Sequence, residues 1–198
     1  MVPYEIIMSP FEVYLAPVGE AFPLINAVPA GNWALLGTNG KVNQSEDGIT
    51  LTHSQTLNPH RTSGTTGPVK VVRSEEELLI SMVLEDLSLE QYAKLLNNIA
   101  VSDTPAGVGT AGFRDITLRQ GPDVSTFALL CRGKSPYGDA WNMQYQVPIV
   151  YQNDNPAPAF SKAGASGLQA TFAALEDLSA ATDAERFGKL VAQDAAPA

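Results

Sequence analysis

The sequence predicts a mostly-β fold: a β-sandwich or barrel of about seven or eight strands with one flanking α-helix, long loops and terminal arms. Two observations predict it. Short runs in which apolar and polar residues alternate recur along the chain, and turn-forming residues separate them. Such alternation is typical of half-buried strands, because successive side chains of a strand point to opposite faces. Only one segment has clear helical spacing.

Strand candidates are spread over the whole chain, with turn signals between several of them. Asn39-Gly40 lies between two apolar runs and predicts a tight hairpin, because both central positions of that turn need positive φ. Ser135-Pro-Tyr-Gly138 predicts a turn between two later strands. The strand candidates are 11–15, 33–37, 49–53, 68–74, 78–84, 113–119, 124–132, 142–151 and 168–175, with a break expected near Ser74.

The helical segment follows the apolar strand 78–84. Ser88 is a good N-cap, and Gln91 three residues later completes a capping box. Leu89, Tyr92, Ala93 and Leu96 share one helical face, and Asn97-Asn98 ends the pattern. The sequence therefore predicts a helix over 89–99 that packs on the sheet. A marginal helix is expected over 184–191.

Charge and cysteine content exclude several classes of function. The net charge is −9, and no window holds a basic cluster, so we expect no stable nucleic-acid binding. Cys131 is the single cysteine; it lies in an apolar run and is predicted to be a buried thiol. No apolar stretch approaches the roughly 20 residues that span a bilayer, so no membrane association is expected. Charged residues make up 17% of the chain, against about a quarter in typical domains, which favours a surface partly covered by other chains.

No motif brings chemistry-bearing residues together. The spacing 107–112 matches G-x-G-x-x-G, but the strand and helix that a dinucleotide site needs on either side are missing. His53 and His60 lie in Ser- and Thr-rich sequence without metal-ligand spacing. No carboxylate pair stands out for acid–base work. The sequence therefore predicts a protein that is not an enzyme and has no cofactor or metal.

Two polar surfaces are candidates for function instead. Residues 54–67 have no apolar periodicity and predict an unusually long connection, and such loops are commonly functional or mobile. The second is an amide-rich face on the strand 142–151, opposite the apolar face of Met143 and Tyr145. Uncharged polar groups suit a wet inter-subunit or channel-lining surface, and the acidic run before strand 78–84 suits a lumen-facing one. The residues concerned are Glu75, Glu77, Asn142, Gln144 and Gln146.

Three stretches carry a resemblance to a known family. They are Trp33-Ala-Leu-Leu-Gly37 with its Asn-Gly turn, the polar loop before Pro68-Val-Lys-Val71, and the run from Glu76 to Leu96 in which an apolar strand leads into a short amphipathic helix. The order of these elements resembles the major tail protein (tail tube protein) family of long-tailed bacteriophages. The resemblance covers residues 30–100 well and the later strands by pattern only.

The resemblance implies a virion structural protein, made in the host bacterial cytoplasm. It implies one β domain over 1–180 with an N-terminal arm, followed by a C-terminal tail over 181–198. Hexameric rings would stack into a tube through which DNA passes transiently, and partners would be other copies and the tape measure, tail tip and terminator proteins. The loop 54–67 would contact neighbouring subunits through Ser54, Asn58, His60, Arg61, Thr62, Gly64 and Thr66.

Two alternatives stay open. Another ring-forming phage protein, such as a tail terminator, a tail-tip protein or a capsid-decorating protein, would share the β fold and the ring. A ligand- or carbohydrate-binding β-sandwich would need exposed aromatic residues on one face, which Trp141 and Tyr137 could supply.

Overall fold

The computed structural model describes residues 5–158, 160, 162 and 165–196; the first residues of the expected N-terminal arm and the last two of the expected tail lie outside them. In this described part, the main sheet is antiparallel and has eight strands in the order β2-β1-β7-β8-β9-β4-β3, with β10 also paired to β8. The predicted mostly-β class with one flanking α-helix is confirmed. In chain order, the elements are β1 (Glu12–Ala16), β2 (Ala34–Leu35), β3 (Gln44–His60), β4 (Lys70–Leu84), α1 (Leu89–Leu95), β5 (Ser102–Thr104), β6 (Phe113–Asp115), β7 (Thr126–Ser135), β8 (Gly138–Gln152), β9 (Leu168–Ala174) and β10 (Lys189–Ala192).

The main sheet curls around the larger of two apolar clusters. Fully buried side chains from strands at opposite ends of the strand order, such as Val13 on β1 and Ile80 on β4, belong to one apolar cluster. A flat sheet could not bring them together, so the sheet bends into a barrel-like shape. Phe172 on β9 lies in the same cluster and is fully buried. Leu95 brings α1 onto this core, as expected for the helix.

A bulge in β8 moves its apolar side chains. Phe127 pairs with Val150 and Leu129 with Val147, so two residues of β8 stand opposite one residue of β7. Pro148 occupies this bulge, where its missing N–H costs no ladder hydrogen bond. Strict alternation over 142–151 therefore ends at Val147, and Val150 takes the core position instead of Ile149.

The entry to α1 is held by Asp86 rather than by the predicted capping box. Asp86 accepts hydrogen bonds from the backbone N–H and hydroxyl of Thr38 and from the backbone N–H of Ser88. Burial would raise the pKa of Asp86, but these hydrogen bonds outweigh it and lower the pKa. The Gln91 Oε1 atom does not cap the helix; it accepts from the backbone N–H of Gly37 at 3.1 Å. The capping box was therefore wrong: the Ser88 hydroxyl forms no cap hydrogen bond, and a loop distant in sequence takes the Gln91 amide.

The helix is shorter than predicted, and the chain leaves it through an asparagine clamp. α1 ends at Leu95 because Asn97 and Asn98 take positive φ. The Asn97 side-chain amide donates to the backbone carbonyls of Gln120 and Asp123, and its Oδ1 accepts from the backbone N–H of Ser125. One side chain thus fixes the return of the chain to β7.

The prediction of a hairpin at Asn39-Gly40 was wrong. Asn39 has φ of −120°, and only Gly40 is in the left-handed region, so the paired positive φ values of that turn are absent. The Asn43 side chain accepts from the backbone N–H of Asn39 at 2.6 Å and stabilises a 3-10 turn, Gly40–Asn43. The chain therefore crosses from β2 to β3 without a hairpin between them.

The predictions for the segment 113–119 and for a helix in the C-terminal tail were also wrong. The strand over 113–119 shortens to Phe113–Asp115, because its only partner is the three-residue β5. The marginal helix over 184–191 is instead a short 3-10 turn followed by β10, which pairs with β8 from Met143 to Gln146. Gly188 makes this docking possible: its φ is +101°, and a Cβ there would lie 2.0 Å from the backbone carbonyl of Gln146.

We expect Phe172→Ala to destabilise the protein by about 3–5 kcal/mol, because it removes a fully buried ring and leaves a cavity. Phe113→Ala is the matched control; that ring is 57% exposed, and its loss is expected to change stability by less than about 0.5 kcal/mol. Urea denaturation followed by tryptophan fluorescence measures both. Equal effects of the two substitutions would contradict the core assignment.

Candidate interaction surfaces

The outer half of the β3–β4 ribbon projects from the sheet. β4 pairs with β9 only from Leu79 to Leu84, so residues 70–78 of β4 have β3 as their sole neighbour among the described strands. Every residue from Gln55 to Glu77 is exposed. We call residues 54–77 the arm. An isolated two-stranded ribbon is only marginally stable in water, so this arm gains little from its own contacts.

The predicted loop over 54–67 was therefore wrong in its first half. Ser54, Asn58 and His60 lie on β3, and the connection runs only from 61 to 69. Arg61, Thr62, Gly64 and Thr66 lie in that connection, so the structure places all seven residues on one arm. Sequence reasoning missed the strand because both faces of the arm are exposed and no apolar periodicity marks it. The valines at 71 and 72 opposite Asn58 and Pro59 were the available signal.

Cross-strand hydrogen bonds hold the base of the arm in register. The Ser54 hydroxyl donates to Glu77 at 3.2 Å and the Thr56 hydroxyl to Glu75 at 2.9 Å. Glu75 and Glu77 thus lie on one exposed face, and whether that face lines a channel stays a prediction. Ser74 has no partner residue on β3 and forms a bulge, which is where the strand was expected to break.

The arm tip, by which we mean the connection 61–69 and the strand residues next to it, differs in charge from the rest of the protein. Between Gly48 and Ser74 there is no acidic residue, whereas Arg61, Lys70 and Arg73 are basic, in a chain of net charge −9. Arg73 pairs with Glu76 at 3.2 Å, but Arg61 and Lys70 form no ion pair with any described residue. Leu57, Val69, Val71 and Val72 add exposed apolar surface. A basic, partly apolar tip on an acidic protein is a surface suited to an acidic partner.

The amide-rich face of β8 is not an open surface, so its prediction as a lumen or interface face was wrong. Gln144 is 1% exposed and Gln146 is also buried. A segment of the same chain, residues 21–27, covers the face, and we call it the strap. The Gln144 Nε2 atom donates to the carbonyl of Pro23 and the Asn142 Nδ2 atom to that of Ile25, both at 3.0 Å. The amides thus serve the backbone of their own chain.

Arg132 is the centre of this covering and was not singled out from sequence. Its guanidinium donates to the backbone carbonyls of Leu24, Ile25 and Ala27. Trp33 completes the strap: its Nε1 atom donates to the Ala21 carbonyl at 2.9 Å, and its ring lies 5.2 Å from that of Phe22. The strap is therefore bound through its backbone, which leaves no apolar pattern to identify it.

The other residues considered for metal binding, catalysis or cofactor binding do not form a site in the described part of the structure. The described residues contain no group of three His, Cys, Asp or Glu side chains that could hold a metal ion. Cys131 is fully buried, and burial raises its pKa to about 12. Residues 107–112 form an exposed loop between β5 and β6, away from any strand-to-helix turn. Within the described part, no helix is long and apolar enough to cross a bilayer.

We expect Arg132→Met to free the strap. Losing its charge-assisted hydrogen bonds costs about 1.4 kcal/mol or more, which raises local opening about tenfold. Thermolysin cleavage within residues 21–28 measures this opening by mass spectrometry. Arg119→Met is the control, because Arg119 is exposed and, unlike Arg132, donates no hydrogen bond to the strap. Cleavage that is equally fast in both variants would show that Arg132 does not anchor the strap.

Comparison with known proteins adds no relative: a scan against protein-family models gives no matching family, and a search of curated proteins gives no matching sequence.

Proposed function

We propose that this chain is a structural subunit of a phage tail tube. Its copies assemble as stacked rings around a channel through which DNA passes. The observation that carries the proposal is the arm, which extends beyond the core and is exposed on both faces. Residues 55–77 of this ribbon are all exposed, and because an isolated hairpin is only marginally stable, contact with another chain would stabilise it.

The edge of the sheet supports lateral association. β3 is the last strand in the order, and its outer edge pairs with no described strand. A long free edge is a template for pairing with another chain, and closure into a ring removes it. Ring formation by edge pairing is therefore consistent with the topology.

The polarity of the ribbon supports stacking. The arm leaves one end of β3–β4, whereas Gln44 and Leu84 pair at the other end beside α1. A contact between unlike ends of identical subunits is heterologous, and it propagates instead of closing. The acidic balance of the remaining chain suits a lumen in which DNA slides without adhering.

Two alternatives are distinguishable by assembly. A tail terminator, tail-tip or capsid-decorating protein would form a closed ring that does not grow. A carbohydrate-binding module would remain monomeric and bind glycans. A cavity of about 640 Å³ at the base of the arm, lined by Tyr145 and Phe187, has the size of a ligand site. Its cations are already paired, Arg186 with Glu176 and Asp183 and Lys189 with Glu185, which disfavours this alternative.

We expect the purified chain at rising concentration to form tubes with a central channel, seen by negative-stain electron microscopy. A variant in which residues 57–74 are replaced by Asn-Gly keeps the paired Thr56 and Glu75 and the whole core, so it should fold but not grow into tubes.

The matched control replaces residues 105–112 by the same dipeptide between the paired Thr104 and Phe113. This control should still form tubes. Unchanged tube growth after arm removal would show that the arm does not link subunits, and a chain that stays monomeric at all concentrations would overturn the proposed function.

A further inference from the structure

The main sheet opens beside the base of the arm. β9 lies between β4 and β8 and pairs with both, along Leu79–Leu84 of β4 and along Val150–Gln152 of β8. Beyond the end of β9, β10 takes its place beside β8, opposite Met143–Gln146. Among the described strands, β10 pairs with β8 alone and not with β4. β4 and β8 are one strand apart at β9, so the sheet splays where β10 begins.

The cavity of about 640 Å³ at the base of the arm fills this opening, and we call it the slot. Glu76, Glu77 and Leu78 of β4 line one side, and Lys189 and Leu190 of β10 line the other. On the sides that face the slot, neither this part of β4 nor β10 pairs with a described strand. Unpaired strand edges are templates for further strands, and here two of them face each other.

The floor of the slot is apolar. Leu78 and Val147 belong to the buried core beneath it, and Tyr145 and Phe187 are half-buried beside them. Successive side chains of a strand point to opposite faces, so every second residue of a strand in the slot would meet this floor. The slot therefore suits a segment that is apolar at alternate positions.

The rim of the slot is acidic. Four Asp or Glu side chains line the cavity against two cations, Arg186 and Lys189, and both cations are already paired with acids of the C-terminal segment. Glu77 is exposed and forms no ion pair with a described residue. It lies on the face away from the core, where it accepts the Ser54 hydroxyl. Outward-facing positions of a strand in the slot therefore favour positive charge.

We propose that the slot binds an extended peptide segment of another protein as an additional strand between β4 and β10. The segment alternates apolar residues, which face the floor, with basic residues, which face Glu77. Main-chain hydrogen bonds to both edges supply affinity, and the floor and the rim supply the sequence preference. The site differs from the outer edge of β3, where only one strand edge is offered, and it does not depend on the proposed function.

A synthetic peptide of alternating valine and lysine, labelled with a fluorophore, tests the slot. Fluorescence polarisation measures its binding to the full chain at a concentration at which sedimentation shows a monomer. We expect saturable binding. Replacing every lysine of the peptide by glutamate should weaken binding at least about tenfold, because the rim is acidic. Failure of the lysine peptide to bind, or equal binding of both peptides, would overturn the proposal.

Two N-methylated peptides distinguish the slot from a single strand edge. One carries N-methyl groups at the valines and the other at the lysines. Successive N–H groups of a strand point to opposite sides, so a strand between two edges uses both sets. Each peptide should therefore bind at least about tenfold more weakly than the parent, because several hydrogen bonds are lost. Weakening by only one of the two modifications would show addition to one edge, such as that of β3, and would reject the slot.

Two protein variants locate the site. Glu77→Gln should weaken peptide binding about two- to fivefold, as expected for one exposed ion pair. Glu75→Gln is the matched control, because Glu75 accepts the Thr56 hydroxyl as Glu77 accepts that of Ser54 but does not line the slot. Equal effects of the two substitutions would reject the slot. Tube growth is measured separately: tubes without peptide binding would reject the slot alone, and peptide binding without tubes would support it.

Discussion

The structure depends on a mismatch between β4 and its neighbours. β4 is 15 residues long, but β9 covers only the stretch from Leu79 to Leu84 on one side, whereas β3 accompanies it throughout. The apolar core follows the covered stretch and contains Leu78, Ile80, Met82 and Leu84. Beyond it the ribbon continues without a layer to pack on. One strand therefore belongs to the core at one end and to the solvent at the other, and the arm is the direct result.

On the opposite face of the sheet, polar side chains are covered by the strap. Gln144 and Arg132 carry strong donors, and burying them without partners would be costly. The strap meets this need with backbone carbonyls, and Trp33 and Phe22 close its end with apolar contact. The sheet is thus covered by its core on one face and by an irregular segment on the other. Two layers thus form around the one main sheet.

Sequence patterns identified the strands whose side chains are buried in the core. They missed the segments that are held by hydrogen bonds to other parts of the chain. Apolar patterning identified β7 and β8, because the run Phe127–Cys131 of β7 is buried on both faces and the apolar residues of β8 alternate up to Val147. It could not identify residues 54–60 as a strand, since neither face of the arm is buried and its register is kept by Ser54 and Thr56 hydroxyls. The amide face of β8 was recognised as a polar face, but the strap that covers it binds through main-chain carbonyls, which every residue has.

The ribbon that joins the arm tip to the barrel is a single paired element, so its length fixes the distance between the two. From Ile49 to His60 it has 12 residues, or about 40 Å at roughly 3.4 Å per residue. For a subunit whose tip contacts another copy, as proposed above, this length sets the distance between that copy and the barrel, independently of how tightly the contact binds. That distance can change only in steps of two residues from each strand, about 7 Å. Removal of a single residue from each strand would turn every side chain of the arm to the opposite face. Insertions in the ribbon would therefore alter the pitch of an assembly while the barrel that produces it stays the same.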